Sequence, residues 1–307
     1  MLTSLSRSTG GEPVVKYSWP WLVLLQWFQE GDLGIVPVPM SKMGRCTGAI
    51  LDDQHVLTAA HCVHGGKSGQ WYLKAFVGAQ NRSETDHMRG HIVSDWWMPQ
   101  DYIDLKHHRY DIAVLRLKTR ITFSKTTQSI CLPTSTVQTG AQCFIAGWGL
   151  GSEEKPRQFM ATVMGQNECQ NRHPNQMQPF ARNQFCVEGN QMRTEIYRAH
   201  TCLGDSGSPL ACKVGDKWVV QGVHYGAIFG PVSCPSIQQP APMLFTRVTR
   251  YLDEIKNYID QAPKACDCKR ETLEPSSFGL GMRKVTTYDP PGCVHVKPKE
   301  NITKTCT

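Results

Sequence analysis

The sequence predicts an all-β fold, a sandwich or barrel of many short strands followed by a single helix. Two observations carry this. Apolar runs of a few residues recur along the chain with Gly, Pro, Asn and Ser between them, the pattern of strands joined by turns. Only one stretch shows the three- and four-residue apolar spacing of an amphipathic helix.

In chain order the strand candidates are Leu22-Val23-Leu24-Leu25, His55-Val56-Leu57, Asp111 to Leu117, Cys143 to Ala146 and Trp218 to Val223. Glu30 to Gly44, rich in Gly and Pro, reads as a long surface loop. The helix candidate runs from Val248 to Ile259, with Val248, Tyr251, Leu252, Ile255, Tyr258 and Ile259 on one face. Composition then changes: Gln261 to Thr307 carries four of the thirteen cysteines, several Pro and Gly, and no strong periodicity. The main domain is therefore expected to end near residue 261, with 262–307 as a small cysteine-bearing tail.

Hydrophobic residues make up 40% and charged residues 19% of the 307 positions, too apolar for a disordered chain. The longest apolar run, Trp19 to Phe28, is broken by Pro20 and Gln26 and is too short to span a bilayer, so no membrane segment is expected. The net charge of +7 is spread along the chain, and without a recognisable binding module nucleic acid is not an expected partner. Thirteen cysteines, with glycosylation sequons at Asn81 and Asn301, point to an oxidising secretory compartment. Met1 to Arg7 is too short and polar to be a signal peptide; the expectation is a secreted protein whose leader is not visible in this chain.

Three segments carry the chemistry: Leu57-Thr58-Ala59-Ala60-His61-Cys62, Tyr110-Asp111-Ile112-Ala113-Val114-Leu115, and Cys202-Leu203-Gly204-Asp205-Ser206-Gly207-Ser208-Pro209-Leu210. A serine hydroxyl is a weak nucleophile until a base takes its proton as it attacks. Neutral imidazole can take that proton and return it to a leaving amine. A buried carboxylate fixes the imidazole tautomer and stabilises the imidazolium. Glycines around the serine let backbone N–H groups converge on a developing oxyanion. Each segment alone is unremarkable; the three together, in the order His, Asp, Ser, point to acyl transfer.

With Ser18-Trp19-Pro20-Trp21, Cys143-Phe144-Ile145-Ala146-Gly147-Trp148-Gly149 and Phe245-Thr246-Arg247-Val248-Thr249, these motifs resemble the chymotrypsin–trypsin family of serine proteases, from about Ser8 to Ile259. The resemblance implies two perpendicular six-stranded barrels with the active site in the cleft between them. His61, Asp111 and Ser206 would be the catalytic triad, and the N–H groups of Gly204 and Ser206 the oxyanion hole. It also implies disulfides Cys46–Cys62, Cys143–Cys212, Cys169–Cys186 and Cys202–Cys234. Cys131, Cys266, Cys268, Cys293 and Cys306 are left over; Cys131 has a propeptide partner in many relatives, or it pairs with the tail. For Cys266 and Cys268, disulfides are expected rather than zinc. Peptide or protein substrates and protein protease inhibitors are the implied partners. No cofactor is expected, and Glu84 and Asp86 are too few acids for a calcium loop in Lys74–Met88.

The departures from the family pattern fall on activation and specificity. An activating cut after Arg7, the end of a residual pro-segment 1–7, would free Ser8, whose amino group would pair with Asp205. Ser8 and Thr9 would then bury hydroxyls where the family buries aliphatic chains. In the pocket, His200 stands where trypsin-like members have Asp. His224, Tyr225 and Gly226 stand where Ser-Trp-Gly is typical, and Met243 replaces a glycine and would narrow the pocket. The extra length around Glu30 to Gly44 would lie at the cleft edge. The expected activity is a serine endopeptidase that is not trypsin-like in specificity; the alternative is a catalytically weak or inactive binding or regulatory protein on the same fold. An esterase built on a nucleophile elbow is disfavoured, because Ser206 lies in Gly-Asp-Ser-Gly-Ser rather than Gly-x-Ser-x-Gly.

Overall fold

The apolar runs become strands. In the computed structural model the described residues are 11–31, 34–37, 45–64, 71–85, 89–102, 110–149, 154–172, 182–190, 205–225, 242–261, 269–275 and 282–288. The chain divides into two units, one of Met1–Ile255 with Thr305–Thr307 and one of Lys256–Lys304.

The two-residue strand β1 (Glu12–Pro13) is followed by β2 (Leu22–Gly31), β3 (Gly34–Pro37), β4 (Arg45–Ile50), β5 (His55–Thr58), β6 (Trp71–Val77), β7 (His91–Trp97) and β8 (Ala113–Leu117). The strands β2 to β8 form one antiparallel sheet in the order β3-β2-β4-β5-β8-β7-β6, and a β2–β6 pairing closes six of them into a barrel. Trp21 to Phe28 are buried without interruption; alternate residues Leu22, Leu24 and Phe28 are covered in a cluster with Ala146 and Trp148. Part of the expected loop from Glu30 to Gly44 is strand instead: β3 extends the β2 edge, with Gly31 opposite Gly34. Pairing of backbone groups at an open edge prevails over the Gly- and Pro-rich composition there.

The second barrel repeats the plan with β9 (Gln142–Gly147), β10 (Arg157–Val163), β11 (Gln184–Gly189), β12 (Pro209–Val214), β13 (Lys217–His224) and β14 (Met243–Arg247). Their order is β10-β11-β14-β13-β12-β9, closed by β10–β9, with β1 added outside β10. All five sequence-read strand candidates fall on strands. The helix α1 (Gln166–Asn171) buries Cys169. A 3-10 turn, Val248–Arg250, leads into α2 (Leu252–Asp260), with Tyr251, Ile255 and Tyr258 buried as the periodicity requires. In the second unit, β15 (Lys269–Pro275) and β16 (Met282–Tyr288) form an antiparallel pair.

The two barrels meet through aromatic side chains. Trp19 packs on Phe144 and Trp218 at centroid distances of 5.4 and 5.1 Å, and Trp21 lies 5.9 Å from Trp218. The Ser-Trp-Pro-Trp motif is thus a wedge from the first barrel against the second. Leu22, Leu24, Phe28 and Phe76 share an apolar cluster with Ala146 and Trp148 from across the join. Among the described residues no helix is long and apolar enough to cross a membrane.

Candidate active site

Asp111 is fully buried just ahead of β8. The preceding residue, Tyr110, has φ +65°, a left-handed conformation uncommon for a non-glycine residue, and the Ile112 N–H returns to its carbonyl at 2.9 Å. This tight turn lies at the entry to β8. The Thr246 hydroxyl on β14 donates to the Asp111 carbonyl at 2.9 Å, tying the residue to the second barrel.

His61 lies in a 3-10 turn, Ala60–Cys62, that follows β5. The Asp111 carboxylate grips it twice: one oxygen accepts the His61 backbone N–H at 2.8 Å, the other lies 2.7 Å from Nδ1. The other ring nitrogen, Nε2, lies 3.7 Å from Cys62 Sγ, a disulfide sulfur with no proton to give. The turn is held from behind by the Cys46–Cys62 disulfide and by Trp27 Nε1, which donates to the Cys62 carbonyl at 2.9 Å. Burial is the largest influence on the imidazole and disfavours its charged form. The negative charge of Asp111 and the hydrogen bond to it together outweigh burial, so the His61 pKa lies above its ordinary value.

Ser206 lies in the turn that precedes β12 and is 8% exposed. Its carbonyl accepts the Thr47 N–H of β4 at 2.8 Å. Thr58 Oγ1 donates to the Thr47 carbonyl at 2.8 Å. A Cβ on Gly207 would meet both that carbonyl and that hydroxyl at 2.3 Å, so the Ser206–Gly207 turn lies directly against the segment that carries His61. Among the described residues no hydrogen bond links Ser206 Oγ to His61 Nε2; such contacts are characteristically long in unliganded sites and tighten when substrate binds. Asp205, 4% exposed, accepts the Gly149 N–H at 2.9 Å.

The remaining expected residues divide between described and undescribed chain. Tyr225 is buried with its ring 6.0 Å from that of His61, edge to face. His224 is fully buried, with Nδ1 3.2 Å from the Asp205 carbonyl oxygen. Met243 is buried in the second-barrel core with Phe185, Val187 and Phe245. Arg7, Ser8, His200, Cys202, Gly204, Gly226, Cys234 and Asn301 lie outside the described residues. The Asn81 side-chain amide donates to Glu84 at 3.2 Å. Cys46–Cys62, Cys143–Cys212 and Cys169–Cys186 are bonded as the resemblance implied, and Cys131 is disulfide-bonded too, to a partner outside the described residues. The one group of metal-capable side chains among the described residues is Cys46, His61 and Cys62, whose two sulfurs are spent in a disulfide. Thr47 went unmarked in the sequence and Thr246 was marked only as part of the Phe245–Thr249 motif, since a threonine in a strand carries no signal of what it will face.

The trypsin family model matches residues 8–255. The chain is 28% identical to CLIP domain-containing serine protease B4 of Anopheles gambiae, over 82% of this chain and 70% of that protein. It is 28% identical to human transmembrane protease serine 5, over 81% of this chain and 51% of that protein. Its identity to mouse chymotrypsin-C is also 28%, over 83% of this chain and 89% of that protein. With the paired barrels and the His61–Asp111 couple, these matches place the chain: it belongs to the trypsin family and is a serine-type endopeptidase.

Proposed function

We propose that this chain is a secreted endopeptidase that cleaves proteins through an acyl-enzyme on Ser206, with a preference other than Lys or Arg before the cut. The carrying observation is the double grip of the buried Asp111 carboxylate on His61, which fixes the proton on Nδ1 and presents Nε2 as the base. Nε2 takes the Ser206 proton as Oγ bonds to the substrate carbonyl carbon. The oxyanion is met by the N–H groups of Gly204 and Ser206. His61 then passes the proton to the leaving amine, and water repeats the sequence to release the acid. Asp205, paired with the freed Ser8 amino group after a cut at Arg7, would hold the oxyanion loop.

Secretion is supported by the disulfides, which persist in oxidising compartments. The specificity reading rests on the sequence, in which His200 stands where trypsin-like members have Asp: a buried lysine or arginine would lack its counter-charge, an omission that costs about 3–5 kcal/mol. Wild type and Ser206→Ala, each treated with trypsin, are compared on a denatured protein mixture and with a fluorophosphonate probe. The expectation is labelling and cleavage by wild type alone, after small, polar or acidic side chains. Equal residual rates in Ser206→Ala overturn the nucleophile; dominance of Lys and Arg at the cuts, absent from the trypsin-only control, overturns the specificity.

A further inference from the structure

We propose that His224 is a positioning residue for the oxyanion site, its Nδ1–H holding the peptide group that carries the Ser206 N–H. This rests on the reading of Ser206 as nucleophile and oxyanion donor. The ring nitrogen lies 3.2 Å from the Asp205 carbonyl oxygen, and a carbonyl only accepts, so Nδ1 carries the proton. The same oxygen accepts the Ser208 N–H at 2.9 Å, so both its lone pairs are engaged.

The Asp205 carbonyl and the Ser206 N–H belong to one peptide unit. That unit is planar and trans, so fixing the direction of C=O fixes the direction of N–H on the opposite side. Donation into the carbonyl also polarises the amide and strengthens its N–H as a donor. His224 is itself immobilised. It is fully buried, its ring lies 5.1 Å from that of Phe245, its N–H donates to the Ser208 carbonyl at 2.9 Å, and its carbonyl accepts the Gly207 N–H at 2.8 Å. Main chain and side chain of one residue therefore clasp the whole turn from Asp205 to Ser208.

The test compares wild type with His224→Asn, whose side-chain N–H stands where Nδ1 does, and His224→Leu, which has the same shape without a donor. Ser206→Ala is the control. The readouts are kcat and KM on one peptide substrate, and inhibition by a peptide boronic acid, whose tetrahedral adduct places an oxygen in the oxyanion site. Losing a whole oxyanion donor costs about 10²–10³ in kcat, so misaligning one is expected to cost about tenfold in His224→Leu. KM should stay within about twofold, boronate binding should weaken in proportion to kcat, and His224→Asn should restore most of the loss. Wild-type kcat in His224→Leu, a loss confined to KM, or a His224→Asn variant as poor as His224→Leu overturns the proposal. If His224→Leu does not fold, His224→Ala takes its place and the comparison with His224→Asn decides. Hydrolysis retained by Ser206→Ala would overturn the nucleophile reading instead.

Discussion

Among the described residues two histidines sit against buried carboxylates, and they differ in what meets the other ring nitrogen. His55 Nδ1 lies 2.9 Å from Asp52, but Arg116 Nε donates to its other nitrogen at 3.2 Å, and all three residues are buried. A guanidinium only donates, so that nitrogen is occupied as an acceptor and the group is a structural strut. His61 has a side chain 23% exposed and no arginine on Nε2. Its base form is the neutral one, and Asp111 raises its pKa, so kcat/KM should rise with pH through a midpoint above the ordinary 6.5. The linked stability has the opposite sense: a raised pKa stabilises the fold fully below 6.5, and this contribution fades as pH climbs through the folded-state value. Asp111→Asn should move the kinetic midpoint down and lower kcat by about 10⁴, the loss known for this substitution in a Ser-His-Asp triad. A pH profile of both enzymes checks it; an unmoved midpoint would refute the electrostatic account.

At the scale of elements, β4, β5 and the turn before β12 form one tightly packed group. Gly207 has φ +82°, and its Cα faces Thr47 O and Thr58 Oγ1 so closely that a methyl group would stand 2.3 Å from each. Both neighbours are fixed, one as strand backbone and the other by its bond to that backbone. Gly207→Ala must therefore push the Ser206 turn away from the His61 segment. We expect a stability loss of about 1–3 kcal/mol from backbone strain alone and at least a hundredfold drop in kcat. Urea unfolding and initial rates measure the two; a variant with wild-type kcat would show that the turn tolerates displacement.

For the whole molecule, the site depends on how the barrels meet. Asp111 enters from the first barrel, and its carbonyl is anchored by Thr246 of the second; Ser206 enters from the second, and its carbonyl is anchored by Thr47 of the first. The aromatic wedge of Trp19 and Trp21 against Trp218 joins the same two barrels. Thr246→Val keeps the shape and removes the donor. Leaving a buried acceptor unmet costs about 1–3 kcal/mol, and kcat should fall several-fold through a loosened Asp111. Thermal unfolding and kinetics on the same preparations test this; unchanged kcat with lowered stability would make Thr246 a purely structural tie.

The strands and the last helix were legible from sequence alone, and the segments proposed to carry the chemistry were marked there too. Apolar periodicity, turn residues and the local motifs around His61, Asp111 and Ser206 are all properties of short stretches of chain. What tertiary structure decided is everything that depends on partners distant in sequence. The expected loop from Glu30 to Gly44 became partly strand because the β2 edge lay open beside it. Met243 was read as a pocket residue and is buried among Phe185, Val187 and Phe245, since the side of β14 it occupies is set by register. The ordinary threonines at 47 and 246 became the ties between barrels. His55 opens the apolar run that His61 follows, and both meet a carboxylate, yet Arg116, 61 residues after His55, sets them apart. A hydrogen bond is a fact about three-dimensional neighbours, and no window of local sequence contains it.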